Sequence, residues 1–249
     1  MLDKIEDSSG AVAADFALAV IRMLCNWYAT RHEDYASPIV KGMRRTDPKT
    51  HARSRILEDS EIKEVWRVAT ENGVFGAFIR VALLTAQRRE KVVTMQWGDL
   101  DQGEWIIPSA EREKGTAGSL VLPDIALNII NEQPRFESNP YVFAGRGSSY
   151  MQGMSKRKAQ FDAKLTGVAP WTVHDLRRTA RSLMSRAGVR PDISERVLGH
   201  AIRGVEGVYD RHNYRDERRH ALERLAGLIQ LIVNGNHADK VVRIRKFRS

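Results

Sequence analysis

Apolar residues recur along most of the chain at steps of three and four, the spacing that places side chains on one face of a helix. The first such stretch, residues 11–33, predicts a helix whose apolar side is buried. That side consists of Phe16, Val20, Met23, Leu24 and Trp27. The polar residues expected to cap the helix are Asp7, Ser8 and Ser9. One helix cannot bury its own face, so this one must pack on the following domain or on the rest of a helical domain that began earlier.

The same spacing predicts a series of helices in the rest of the chain, some of them ended by glycine. Their expected ranges are 57–73, 75–85, 92–95, 124–130, 154–165, 174–187, 192–199 and 214–233. Asp192 or Ser194 is expected to cap the helix that ends at Gly199. Most of the protein is therefore expected to be helical.

Residues 96–123 follow a different pattern, with short apolar runs separated by turn residues. The runs lie at Trp97, at residues 105–107 and at residues 120–122. They predict a small antiparallel sheet of three strands, with Lys114 at the tip of the hairpin that joins the second and third strands. The expected fold class is mainly α with a small three-stranded antiparallel sheet, an α+β fold.

Composition is typical of soluble globular proteins and favours a polyanionic partner. Of the 249 residues, 42% are hydrophobic and 29% are charged, and the formal net charge is +9. Such a basic excess favours nucleic acid, although solubility alone can account for it. The single cysteine, Cys25, excludes an intrachain disulfide and fits a reducing compartment. We see no signal-peptide pattern and expect no segment that spans a membrane, so we expect a cytoplasmic protein.

Basic residues concentrate in residues 41–56, a stretch without helical periodicity that predicts a linker. Its basic side chains are Lys41, Arg44, Arg45, Lys49, Arg53 and Arg55. They suit contact with DNA phosphates, while composition alone equally allows a solvated loop. The basic helix expected at residues 154–165 adds Lys156 and Arg157 as candidates for DNA contact.

Residue types that bind phosphate or act as nucleophiles are spread over residues 88–209. His174 and Arg177 are three residues apart in T-V-H-D-L-R-R and therefore share a helix face. Arg88 precedes them, and His200 in L-G-H and Tyr209 follow them. The planar fork of arginine matches phosphate oxygens, and tyrosine can act as a covalent nucleophile. Each residue alone is more often an ion-pair or packing residue, but the set together in a basic chain favours phosphodiester chemistry.

These residues divide the tasks of phosphodiester cleavage among them. Arg88 and Arg177 would neutralise the charge that grows on the non-bridging oxygens, a preorganised cation contributing roughly 3–4 kcal/mol in the transition state. Tyr209 would attack phosphorus and pass its proton to His174, because a phenol with a pKa of about 10 needs a base near neutral pH. His200 would donate to a phosphate oxygen.

Lys114 is the candidate acid that protonates the departing deoxyribose oxygen, although any hairpin tip can carry a lysine. No metal or other cofactor is expected. The histidines lack metal-ligand spacing, there is no C-x-x-C, and no carboxylates cluster near the arginines. The phosphate-binding loop G-x-x-x-x-G-K-[ST] is also missing, which argues against an ATP motor.

The ordered set Arg88, His174-x-x-Arg177, Leu198-Gly199-His200 and Tyr209 resembles the tyrosine recombinase, or phage integrase, family over residues 55–215. The resemblance implies the tyrosine-recombinase catalytic-domain fold. It also implies that the tyrosine forms a 3′-phosphotyrosyl bond in double-stranded DNA and that a 5′-hydroxyl later reverses this step, without ATP or metal. Four protomers on two DNA sites are implied, with a monomer in free solution as the alternative state.

The resemblance further implies a division of the chain. Residues 1–40 are expected to be the C-terminal remnant of a helical core-binding domain, 41–56 the basic linker, 57–235 the catalytic domain and 236–249 a basic C-terminal tail. In many family members a C-terminal segment packs into the neighbouring protomer; here this would be the last helix with the tail.

Three positions depart from the family pattern. Ala86 stands where glycine is common, Glu90-Lys91 where many members have Gly-Glu, and Ser119-Leu120 where a histidine is frequent. The second departure leaves open which acid supports Arg88.

The sequence thus predicts a site-specific DNA recombinase that integrates or excises a mobile element. A tyrosine-type DNA-relaxing topoisomerase shares this chemistry and is the alternative enzyme. A DNA-binding remnant that no longer cleaves is the alternative without activity.

Overall fold

The computed structural model of the protein describes residues 1–47, 53–109, 118–200 and 212–235. The chain divides into two compact units, Met1–Ser54 and Arg55–Ser249. Several of the predictions above lie outside the described residues: those for Lys49, Lys114, Tyr209 and the tail 236–249.

The N-terminal unit contains two helices, α1 (Leu2–Ser9) and α2 (Ala11–Ala29), which pack against each other. Gly10 separates them with a φ of 86°, in the left-handed region that favours glycine. The predicted caps of α2 are therefore wrong, because those polar residues form the end of α1. They are Asp7, Ser8 and Ser9.

The apolar side of α2 is largely exposed among the described residues. The buried residues of this helix are Ala14, Asp15 and Leu18. The residues expected to be buried are between 40% and 74% exposed: Phe16, Val20, Met23, Leu24 and Trp27. The physical reason is that a unit of this size covers only one side of α2, and the side that it covers is the one that carries Asp15.

Asp15 organises the residues after α2. One carboxylate oxygen accepts a hydrogen bond from the backbone N–H of Arg45 at 2.8 Å. The other accepts from the N–H of Thr46 at 2.9 Å and from its hydroxyl at 2.6 Å, and Arg44 lies 3.4 Å away. Burial raises the pKa of Asp15, but these hydrogen bonds and the charge of Arg44 lower it by more, to about 2. The carboxylate therefore stays charged and holds this segment at neutral pH.

Helix α2 departs from the expectation that no segment is long and apolar enough to span a membrane. Helix α2 has 19 residues and a mean hydropathy of 1.3, which is long and apolar enough to cross a membrane. Core helices of soluble proteins and leader sequences share these properties. Length and composition therefore do not assign α2 to a membrane.

The C-terminal unit begins with two helices that pack against each other, α3 (Asp59–Thr70) and α4 (Gly73–Thr85). Helix α4 is buried over nearly its whole length. The two helices come into backbone contact at Gly76, where an added Cβ would lie 1.8 Å from the carbonyl oxygen of Ala69. Only glycine allows this approach. A short helix, α5 (Arg89–Val93), follows.

The sheet confirms the predicted topology with one correction. Strands β1 (Leu100–Asp101), β2 (Glu104–Ile106) and β3 (Ser119–Val121) form an antiparallel sheet in the order β1-β2-β3, with Trp105 opposite Leu120. Trp97, expected in the first strand, lies instead in a 3₁₀ turn. A capping box between Gln96 and Asp99 forms this turn and delays the strand.

The remaining helices are α6 (Asp124–Asn131), α7 (Met154–Asp162), α8 (Val173–Arg186), α9 (Pro191–Leu198) and α10 (Arg215–Asn234). The predicted caps of α9 are wrong, since Asp192 and Ser194 lie within it and Arg190 is the N-cap. Pro191 moves the start forward because proline is favoured at the first helical position. The mainly α fold with a small three-stranded antiparallel sheet is confirmed.

An aromatic core joins α4 to α7 and to the start of α8. Phe78 contacts Phe75 and Phe143, and Phe161 of α7 contacts both Phe75 and Trp171. All five rings are buried. This packing fixes the positions of α7 and α8, whose exposed sides face the candidate site.

Candidate active site

Arg177 is a buried arginine that joins three parts of the C-terminal unit. It is 5% exposed on α8. Its Nη1 donates to the carbonyl oxygen of Ala86 at 2.8 Å, and its Nη2 donates to the carbonyl oxygen of Leu198 at 2.7 Å. The same Nη2 lies 2.9 Å from Nε2 of His200. One guanidinium thus connects α8 with the ends of α4 and α9.

Both carbonyls come from helix C-termini, where the last backbone acceptors lack partners within the helix. Ala86 follows α4 in the left-handed conformation, with a φ of 55°. Leu198 ends α9 and is followed by Gly199, with a φ of 67°. The negative ends of two helix dipoles therefore point at the buried cation.

Gln87, the residue after Ala86, also bridges the C-terminal ends of α4 and α9. The side chain is buried, and its Nε2 donates to the carbonyls of Thr85 at 3.0 Å and Val197 at 2.7 Å. The ends of α4 and α9 are thus held together by an amide as well as by a guanidinium. Arg88 follows directly, so this bridge fixes the backbone from which it projects.

The pKa of Arg177 is lowered to about 10. Burial is the main cause, the positive charge of Arg88 adds to it, and the carboxylate of Glu195 opposes it. A group with this pKa remains a cation near neutral pH, so the site keeps a positive charge in a water-poor position.

Arg88 and His174 line a common cleft of about 660 Å³. Arg88 is half-buried at the N-cap of α5, and His174 is exposed in the first turn of α8. A capping box between Thr172 and Asp175 starts α8 at this point. The other lining residues are Arg89, Glu90, Met154, Ser155, Lys158, Ala159, Asp162, Trp171, Thr172 and Val173.

The pKa of His174 is lowered from its ordinary value near 6.5. Desolvation is the main cause, and the positive charges of Arg178, Arg177 and Arg88 act in the same direction, while Asp175 opposes them. The imidazole is therefore neutral near pH 7. A neutral ring can accept a proton from a group that enters the cleft.

His200 is held on both ring nitrogens. Its Nδ1 lies 2.5 Å from Oε2 of Glu195, and the other oxygen of Glu195 accepts from Nε of Arg181 at 2.8 Å. Arginine has no acceptor, so Nε2 of His200 must accept from Arg177. Nδ1 then carries the proton and donates to Glu195.

The model of the phage integrase family matches residues 55–215, the range that contains the whole arrangement around Arg177. The chain belongs to the phage integrase family. It is also similar to the integrase of Salmonella phage P22, at 27% identity over 178 residues, 66% of this chain and 44% of that protein. The chain therefore spans less than half the length of this relative.

Solved structures of tyrosine recombinases have the same fold. A dimer of lambda integrase bound to a COC′ core site has a TM-score of 0.61 and 14% identity, with 81% of this chain and 76% of that chain covered. The XerH recombinase bound to its difH substrate has a TM-score of 0.59 and 14% identity, with 81% and 62% covered. The expected tyrosine-recombinase catalytic-domain fold is confirmed.

The structure brings together four of the six catalytic candidates of this family member. Arg177 contacts His200, and Arg88 and His174 line the adjacent cleft. The other two, Lys114 and Tyr209, lie outside the described residues. Glu90, next to the cleft-lining Arg89, lies 3.6 Å from Arg89 and 3.4 Å from the hydroxyl of Tyr150.

The candidate DNA-contact residues fall into two groups. The exposed ones are Lys41, Arg44, Arg53, Lys156 and Arg157, the last two on α7 beside the cleft. Of the exposed group, Arg44 lies 3.4 Å from Asp15, and Nε of Arg157 donates to the carbonyl of Gln152 at 2.9 Å. The other two, Arg45 and Arg55, are half-buried in ion pairs. Arg45 pairs with Asp3 and Glu6, and Arg55 pairs with the buried Glu61 at 2.5 Å. The exposed group is therefore better placed for contact with phosphates.

Sequence reasoning missed the residues that support the site. Gln87, Arg181 and Glu195 are not part of the recognised motifs, yet each positions a motif residue or its backbone. A weak signal was present, because Glu195 precedes His200 by five residues and lies on the helix that ends at Leu198. No group of three or more potential metal ligands occurs among the described residues.

Proposed function

We propose that this chain is a site-specific DNA recombinase that cleaves and rejoins double-stranded DNA through a 3′-phosphotyrosyl intermediate. The observation that supports this most strongly is the buried Arg177, bound to His200 beside a cleft lined by Arg88 and His174. Membership of the phage integrase family agrees with it. Integration or excision of a mobile element is the biological role that we propose.

Arg177 and Arg88 bind the scissile phosphate in this proposal. Arg177 has five N–H donors, and its bonds to the described residues use Nη1 once and Nη2 twice. The Nε–H and the second Nη1–H are then available for a phosphate. Arg88 approaches from the cleft. A preorganised cation of this kind typically contributes roughly 3–4 kcal/mol to the transition state.

The nucleophile and the general acid are assigned from the sequence. The phenolic oxygen of Tyr209 attacks phosphorus and loses its proton to His174, whose lowered pKa keeps it neutral. The bond from phosphorus to the 5′-oxygen breaks, and Lys114 protonates that oxygen. A 5′-hydroxyl of a second strand then attacks the phosphotyrosyl bond and releases the tyrosine. Each step replaces one P–O bond by another, so no ATP, metal or other cofactor is needed.

The proposed partner is double-stranded DNA. Similar folds have been solved as a lambda integrase dimer on a core site and as a lambda integrase tetramer on a Holliday junction. We therefore propose that four copies of this chain act on two DNA sites, with a monomer in free solution as the alternative state. The net charge of +9 supports association with DNA in the cytoplasm.

The test is a denaturing gel for a covalent protein–DNA adduct. The DNA spans the ends of the element that carries the gene, is nicked near the cleavage site to trap the intermediate, and is supplied with EDTA and without ATP. The wild type should form the adduct and Tyr209→Phe should not, at nearly unchanged DNA affinity. Tyr28→Phe, in the N-terminal unit, is the matched control and should form it.

Each other result has a definite meaning. An adduct with Tyr209→Phe would exclude this tyrosine as the nucleophile. Tight binding without an adduct in the wild type would favour a DNA-binding remnant. An adduct together with relaxation of supercoiled plasmid, but without joining of two different DNA sites, would favour a tyrosine-type topoisomerase.

A further inference from the structure

His200 takes part in a closed ring of contacts that begins and ends on α8. Arg177 and Arg181 are four residues apart on this helix and therefore lie on the same side of it. Arg177 contacts Nε2 of His200, Nδ1 of His200 contacts Glu195, and Glu195 contacts Arg181. The imidazole is thus fixed between two turns of one helix.

We infer that Glu195 is a positioning residue for the proposed recombination reaction, because it fixes the ring and the tautomer of His200 beside Arg177. Glu195 does not contact the phosphate in this role. The expected effect on the reaction rests on the proposed function. The tautomer of His200 does not, because it is a property of the DNA-free protein.

The geometry argues for more than a surface ion pair. Glu195 uses its two oxygens separately, Oε1 for Arg181 at 2.8 Å and Oε2 for His200 at 2.5 Å. The carboxylate is about one-third exposed, and Arg181 also donates to Ser185. A carboxylate held in this way cannot rotate away from the ring without breaking both hydrogen bonds.

The position of the ring proton also decides whether Nε2 of His200 can accept from Arg177. If the proton moved to Nε2, an N–H of His200 would face an N–H of Arg177 at 2.9 Å. Two donors repel each other, so the ring or the guanidinium would have to turn. The guanidinium is also held by the carbonyls of Ala86 and Leu198, so the ring would turn more readily. Glu195 removes this conflict by keeping the proton on Nδ1.

The direct test is the tautomer of His200 in the free protein, measured by ¹⁵N NMR on protein labelled at histidine. The spectra are recorded at a pH of about 8.5, two units above the reference pKa of histidine of about 6.5, and the His200 signals are identified by their loss in His200→Asn. The wild type should show a protonated Nδ1 and an unprotonated Nε2. Glu195→Ala should shift His200 to the Nε2–H form or to a mixture.

Two further variants keep most of the Glu195 side chain but remove the oxygen that accepts from Nδ1 of His200. Glu195→Gln has a single side-chain oxygen, which the cationic Arg181 attracts, so its NH2 group faces Nδ1 of His200. This variant keeps the size of the side chain and should shift His200 towards the Nε2–H form. Glu195→Asp is shorter by one methylene, so its carboxylate no longer reaches the ring, and it should behave like Glu195→Ala. Glu223→Ala is the matched control, because this exposed carboxylate on α10 lies near Arg219 and should leave His200 unchanged.

The reaction provides the second readout. Glu195→Ala, Glu195→Asp and Glu195→Gln should each slow single-turnover adduct formation about 10- to 100-fold at unchanged DNA affinity. The Nε2–H tautomer in the wild type, or an unchanged tautomer in Glu195→Ala and Glu195→Asp, would overturn the inference. If folded variants had a shifted tautomer but unchanged cleavage rates, Glu195 would have no role in the reaction. An absent wild-type adduct with the expected tautomer would instead contradict the proposed function alone.

Discussion

Nη2 of Arg177 lies 2.9 Å from Nε2 of His200 and donates at the same time to the carbonyl of Leu198 at 2.7 Å. These contacts make Arg177 a structural residue as well as a candidate for phosphate binding. Helix α9 ends at Leu198, two residues before His200, so the guanidinium fixes both the helix end and the imidazole. Substitution of this arginine should therefore affect stability and chemistry together.

Arg177→Lys should abolish most of the cleavage activity although it keeps the charge. An ammonium group lacks the planar fork that reaches Ala86, Leu198 and the phosphate together. We expect adduct formation to fall by about 10²–10³-fold and the thermal midpoint to drop, because each carbonyl left unpaired costs about 1–3 kcal/mol. Gel assays and calorimetry measure the two effects. Arg186→Lys, at an exposed pair with Asp59, is the control and should change neither.

The rate of cleavage should fall on the acid side at a pH below the ordinary histidine pKa of about 6.5. His174 has a lowered pKa in the folded protein, so its neutral, proton-accepting form persists to lower pH. Single-turnover rates between pH 5 and pH 8 measure this limb, which His174→Gln should remove together with most of the activity. An acid limb above pH 6.5 would contradict the role of His174 as the base.

Lys156→Ala and Arg157→Ala should weaken DNA binding in a salt-dependent way. Both side chains are exposed on α7 beside the cleft. The slope of log K against log salt should decrease by about 0.9 for each phosphate that the variant no longer neutralises, at unchanged stability. Arg55→Ala should mainly lower stability, because it leaves the buried Glu61 without its cationic partner. Equal salt slopes in wild type and both α7 variants would exclude a phosphate-binding role for these two side chains.

Asp15→Asn should loosen residues 44–46 of the N-terminal unit. The pKa of Asp15 is lowered to about 2, so its stabilising effect is present above its ordinary value of 3.8 and is lost as the pH falls towards 2. Hydrogen exchange at the N–H groups of Arg45 and Thr46 should accelerate in the variant at neutral pH. Wild type should show the same change only in acid. Asp34→Asn, at an exposed position, is the control.

Much of the fold followed from local pattern. The apolar spacing predicted α4, α6, α8 and α10 within a few residues, because helix periodicity and end signals are properties of short stretches. The failures came where local signals competed. Asp7 to Ser9 can cap a helix or extend one, and Trp97 suits a strand or a turn. The periodicity of α2 identified its apolar side correctly, but periodicity does not show which part of a protein covers that side.

Motif and periodicity in the sequence were enough to identify the family, the residue types of the site and the helices that carry them. The contacts of Arg177, by contrast, depend on how distant parts of the chain pack together. Its partners Ala86 and Leu198 lie 91 and 21 residues away along the chain, and both offer backbone carbonyls that every residue possesses. No side-chain pattern marks such acceptors. They become available where α4 and α9 end side by side, and this arrangement results from packing of the whole core.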